Sequence, residues 1–161
     1  MRISRRLALP STALAIAALA IPTAAQAGAA KFHSASASVR ATGALAVSFD
    51  ERGLGNENVD YLLTAHAEAE FGCINGGDKH PQAANKETIS SEVTTTASIE
   101  PKNGRVVATI RTAAPKPGDF SCPNGQKLVL GNVSYSDIQL EDTTNDTAVT
   151  LPDAARTFLA F

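Results

Sequence analysis

Between Val59 and Cys73 the chain alternates without a break for fifteen residues. Val59, Tyr61, Leu63, Ala65, Ala67, Ala69, Phe71 and Cys73 share one parity, and Asp60, Leu62, Thr64, His66, Glu68 and Glu70 share the other. A period of two over that length predicts a long half-buried β-strand with its polar face outward. Ala and Glu between Ala65 and Glu70 are good helix formers and oppose the assignment. The unbroken alternation outweighs them, because a helix would wrap those apolar side chains around its whole circumference.

The same period recurs along the chain. Strands are expected over Phe32 to Val39, Ala44 to Phe49, Ile89 to Ile99 and Val106 to Ile110. A further strand runs from Lys127 to about Leu140, with a phase slip near Gly131-Asn132 that predicts a bulge. The last covers Ala148 to Leu151, is interrupted by Pro152 and resumes from Thr157 to Phe161, which suits an edge where a missing N–H costs little. Asn103-Gly104 turns the chain, since both residues tolerate positive φ. Seven strands without a helical period predict an all-β, seven-stranded immunoglobulin- or fibronectin-like β-sandwich, with a small β-barrel as the alternative. The polar outward faces argue against an outer-membrane barrel, whose outward face is apolar.

The first 27 residues read as an export leader. Arg2, Arg5 and Arg6 precede an apolar run from Leu7 to Ile21, and Ala25-Gln26-Ala27 forms a small-x-small cleavage site before Gly28. That run is shorter than a spanning helix requires and is broken by Pro10 and Pro22. Ser4-Arg5-Arg6 matches a twin-arginine signal only in part, so general secretion is the simpler expectation. The expected organisation is therefore a signal peptide over 1–27 and one secreted domain over 28–161, with no membrane anchor after cleavage. Removing the three leader arginines moves the formal charge from −2 to −5. That balance leaves no electrostatic footprint for nucleic acid.

Cys73 and Cys122 are the only cysteines. In an oxidising compartment they are expected to form a disulfide. If successive strands alternate in direction, both lie at the same end of a sandwich. Each sits in a short echo, Phe-x-Cys-x-Asn-Gly, at 71–76 and 120–125. No Cys-x-x-Cys points to zinc or redox chemistry.

Chemistry-bearing motifs are sparse. His66, Glu68 and Glu70 share a strand face at alternate positions, and parallel side chains so spaced do not readily converge on a metal. Gly-x-Ser-x-Gly, His-Glu-x-x-His and Ser-x-x-Lys are absent, so no catalytic residue, metal or cofactor is expected. Asn132-Val133-Ser134 and Asn145-Asp146-Thr147 are formal glycosylation sequons. Two loops stand out as candidate contact surfaces. One follows the first cysteine and contains Asn75, Asp78, Lys79 and His80. The other, 50–58, contains Asp50, Glu51 and Asn56, and is expected at the opposite end of the domain.

The stretches SFDERGLGNENVDY (48–61), FGCINGGDKHPQAANKE (71–87), IEPKNGRV (99–106) and DFSCPNGQKLVL (119–130) resemble small secreted proteins of filamentous actinobacteria. The resemblance implies export and a compact β domain and carries over no functional residues. Antibiotic-carrier apoproteins of the same bacteria share the expected architecture, with two disulfides where this chain has one cysteine pair. The expected role is a secreted, non-catalytic binding module whose partner is an extracellular protein or a small molecule. A small-molecule carrier is the alternative, and a hydrolase inhibitor or hydrolase ranks last.

Overall fold

The computed structural model describes residues 29–75 and 85–161. Among these residues eight strands form in chain order: β1 (Lys31–Val39), β2 (Leu45–Arg52), β3 (Val59–Asn75), β4 (Lys86–Ile99), β5 (Arg105–Arg111), β6 (Gln126–Asp142), β7 (Thr147–Leu151) and β8 (Ala154–Thr157). They make two antiparallel sheets, one ordered β1-β2-β5 and the other β4-β3-β6-β7, with β8 also paired to β6. Among the described residues the sheets stack as a sandwich, and no barrel closes. The segment after Pro152 pairs earlier than the sequence suggests, at Ala154–Thr157, because β8 lies against the Asn132–Tyr135 part of β6. Among the described residues no helix is long and apolar enough to cross a membrane.

β3 organises the larger sheet. Its odd-numbered side chains from Val59 to Cys73 are all buried, while the even positions from Asp60 to Glu70 are half-buried or exposed. They meet Leu45, Val47 and Phe49 of β2 and Val133, Tyr135, Ile138 and Leu140 of β6 in one apolar core. Ile89, Val93, Ala97 and Ile99 of β4 pack on its margin. The helix-forming Ala-Glu stretch is overridden because each Ala lies directly against the facing sheet, where a small side chain suits close approach.

Bulges correct the phase where side-chain alternation alone would fail. Opposite Glu70 and Phe71 of β3, the register of β6 jumps from Asn132 to Leu130, leaving Gly131 as the extra residue. The freed Gly131 carbonyl accepts from the backbone N–H groups of Phe158 and Leu159, at 2.7 and 3.0 Å. The Phe161 ring then lies over the bare backbone of Gly72 and Gly131, where any added Cβ would collide with it. A second bulge falls at Asp137, whose φ is 51°, and returns Ile138 and Leu140 to the core. A third, at His33, turns Phe32 inward against Phe49 at 5.9 Å between ring centroids.

Asn103 and Gly104 adopt φ of 53° and 71°, and Lys102 and Arg105 close the turn through reciprocal backbone hydrogen bonds. The flanking strands nevertheless part, β4 to the larger sheet and β5 to the smaller. The turn is a crossing between layers, not the tip of a hairpin.

Cys73, at the end of β3, is bonded to Cys122 in the connection before β6, with Cα atoms 5.6 Å apart. The bridge spans 49 residues and fastens that connection to the larger sheet. Chain-entropy reasoning puts its contribution at about 4 kcal/mol. Replacing both cysteines by alanine is expected to lower unfolding free energy by about that amount, read as a lower urea midpoint in equilibrium denaturation.

Candidate functional site

Three connections meet at one end of the sandwich: residues 53–58 between β2 and β3, 100–104 between β4 and β5, and 143–146 between β6 and β7. They come from both sheets and are tied together by backbone. The Leu54 N–H donates to the Gly104 carbonyl at 3.1 Å. The Asp60 carbonyl accepts from the Thr143 N–H and hydroxyl at 2.9 and 3.0 Å, and the Asp60 N–H donates to Thr144 Oγ1 at 2.9 Å. Asn56, Glu57, Lys102, Asn103 and Asp146 are exposed on the resulting surface.

Beneath it lies a buried polar contact that joins the layers. Tyr61 Oη on β3 donates to Glu51 Oε2 on β2 at 2.7 Å. Both side chains are buried, as is Asp142 at the end of β6. Asp142 Oδ1 accepts from the backbone N–H groups of Thr144 and Asn145, both at 2.9 Å, and Oδ2 accepts from Asn145 Nδ2 at 2.7 Å. It therefore shapes the 143–146 turn directly. Glu51 Oε1 meets no donor among the described residues. Desolvation raises the Glu51 carboxyl to about 7, against the lowering effect of the Tyr61 hydrogen bond and with the neighbouring Asp142 adding to the rise. A proton on the carboxyl removes the charge beside Asp142 while Oε2 keeps accepting from Tyr61. Burial, followed by the bond to Glu51, holds the Tyr61 phenol far above its ordinary range.

These observations revise the boundary expected for the 50–58 loop. Asp50 and Glu51 belong to β2 and are buried, so neither is a loop contact. The apolar alternation stops at Phe49, but the strand continues because its charged residues are satisfied individually. Asp50 faces outward and is gripped by Arg52 (Nε 3.3 Å, Nη2 2.8 Å) and Arg105 (Nε 2.7 Å, Nη2 2.9 Å). The hydrogen bonds from Arg52 and then Arg105 hold its carboxyl well below the usual carboxylate range. Asn56 is exposed in the shortened loop.

Asn75 is exposed at the far end of β3, opposite Gln126. Asp78, Lys79 and His80, like the expected leader over 1–27, lie outside the described residues. The 17 residues of β3 separate Asn75 from the 53–58 loop by roughly 50 Å.

On the outer face of the larger sheet, His66 Nδ1 lies 2.6 Å from Glu92 Oε1. This contact raises the imidazole above its ordinary range. Glu70 takes a different set of partners, accepting from Asn132 Nδ2 at 2.6 Å and facing Lys86 Nζ at 3.5 Å. His66 and Glu70 are thus engaged separately. Among the described residues no three His, Cys, Asp or Glu side chains form a group able to hold a metal ion.

Two open depressions adjoin the three-loop end. One, of about 490 Å³, is lined by Asp60, Tyr61, Leu62, Thr96, Ser98 and Thr143 among others. The other, of about 380 Å³, is lined by Ile99, Glu100, Lys102, Arg105, Val106 and Val107. Sequence reasoning missed Asp142 and the 143–146 turn, although Asp142-x-Thr144-Asn145 carries the short polar residues of an Asx-type turn. Comparison with protein-family models, curated proteins and solved structures returned no match.

Because the folded carboxyl of Glu51 is raised from 4.5 to about 7, the native state holds more protons than the unfolded chain between those values. The stability contributed by the neutral acid is complete below 4.5 and is lost as pH rises through about 7. Glu51→Gln mimics the protonated acid. The variant is expected to match wild type near pH 4.5 and exceed it by up to about 3 kcal/mol at pH 8, with urea denaturation at both pH values as the check.

Proposed function

We propose that this chain is a secreted, non-catalytic binding module that presents the three-loop end of its sandwich to an extracellular protein partner. The observation that carries the reading is the construction of that end. Connections from both sheets are hydrogen-bonded into one surface above the Glu51–Tyr61–Asp142 contact, which leaves exposed amide, carboxylate and ammonium groups on a braced frame. Recognition residues on loops held by a rigid scaffold lose little conformational freedom on binding.

The strand order supports a fibronectin-like sandwich over the constant immunoglobulin arrangement. In the latter the fourth strand lies beside the fifth; here β4 pairs with β3 instead. Export is supported by the leader pattern before Gly28 and by a disulfide of the kind that persists in oxidising compartments. The carrier reading requires a cleft between the sheets, and that space is filled by Leu45, Val47, Phe49, Leu63, Tyr135 and Leu140. The resemblance to small secreted actinobacterial proteins accords with the same picture.

The test is capture from culture medium on immobilised wild-type protein and on a variant carrying Asn56→Ala, Glu57→Ala and Lys102→Ala. A stoichiometric protein bound by wild type and lost by the variant, with unchanged circular dichroism, is the expected result. Retention of that protein by the variant would move the contact surface elsewhere. Native mass spectrometry of the secreted protein is expected to give residues 28–161 less two hydrogens. A discrete extra mass released on denaturation would favour the carrier reading instead.

A further inference from the structure

The sheet edges are unequally protected. β1 is bent by its bulge at His33, and β5 has only seven residues with Arg105 and Arg111 at its ends. β7 and β8 are five and four residues long and are separated by Pro152. Bulges, short length, charge and proline are the usual means of keeping an edge from pairing with another chain. β4 carries charge at Lys86, Glu87 and Glu92, but it is the longest of the edge strands. It has 14 residues and no proline, and its register against β3 runs unbroken from Val59↔Ile99 to Gly72↔Lys86. Its far side is an extended row of peptide groups that β3 does not reach.

We propose that β4 pairs antiparallel with β4 of a second copy of this chain, about a twofold axis through Val93, joining the two larger sheets into one. An axis perpendicular to the sheet keeps each side chain on its own face, so only residues of equal parity lie opposite one another. With the axis at Val93, Ile89 lies opposite Ala97 on the inner face and Glu92 opposite Thr94 on the outer face. Lys86, which already faces Glu70 of its own copy at 3.5 Å, lies opposite Glu100, so that its charge is shared with a second carboxylate twice by symmetry. Moving the axis to Glu92 sets two carboxylates directly against each other, and moving it to Thr94 takes Lys86 away from Glu100. The charges thus favour this register over the two that adjoin it. The two Glu92 side chains are diagonal neighbours in it, and each already faces His66 of its own copy.

Thr94 is exposed on the outer face, so its replacement tests the pairing without opening the core. Sedimentation velocity of the full secreted chain, disulfide intact, over a concentration series is expected to show a monomer–dimer equilibrium. Thr94→Glu places a carboxylate opposite Glu92 at both symmetry-related positions and is expected to weaken the dimer by about fivefold. Thr94→Lys places an ammonium there and is expected to strengthen it by a similar factor. A wild type that stays monomeric throughout would overturn the proposal. So would a dimer that both variants leave unchanged, because its interface must then lie on another surface.

Discussion

The carboxyl of Glu51 is the group around which the loop end is arranged. An ionised carboxylate in an apolar interior costs several kcal/mol unless it is paired, and the adjoining groups are a phenol and a second carboxyl. Keeping the acid neutral lets one oxygen accept from Tyr61 and removes a second negative charge from beside Asp142. The contact spans β2 of one sheet and β3 and β6 of the other, so it fixes how the layers meet at that end. Asp142 carries the constraint outward, because its remaining acceptor capacity is spent on the 143–146 turn.

The opposite end is held by different chemistry. There the Cys73–Cys122 bridge fastens the connection leading into β6, and Tyr135 Oη donates to the Gly43 carbonyl at 2.7 Å across the sandwich. Two buried tyrosines therefore project from the larger sheet and end on polar atoms of the smaller sheet or its connections. Each offers apolar bulk to the core and one donor that a neighbouring acceptor must meet. Along β3 the small side chains Ala65, Ala67 and Ala69 are aligned in the core.

Much of the architecture was legible because its signal is local. The β3 alternation, the Asn103-Gly104 turn and the bulge at Gly131 follow from residues near one another, and the cysteine pairing follows from there being only two cysteines in the sequence. The candidate site was less legible. The apolar period ends at Phe49, so Asp50 and Glu51 read as loop, yet both continue β2. Their strand character depends on pairing with β1 and β5, and their charges are met by Arg105 and Tyr61, far away in sequence, as well as by the nearby Arg52. The same holds for the bulge at Asp137, where neither Gly nor Pro marks the slip.

By itself the sequence determined an all-β chain of alternating strands, its long central strand and its one disulfide, because periodicity, turn chemistry and cysteine count act through neighbouring residues or simple topology. Only the tertiary structure decided that β4 joins the larger sheet while β5 crosses to the smaller one. It also decided that a glutamate belongs in the core, and that the 53–58, 100–104 and 143–146 connections share one surface. Those outcomes depend on partners tens of residues apart, and a buried charge declares itself only when the groups that neutralise it have been brought alongside.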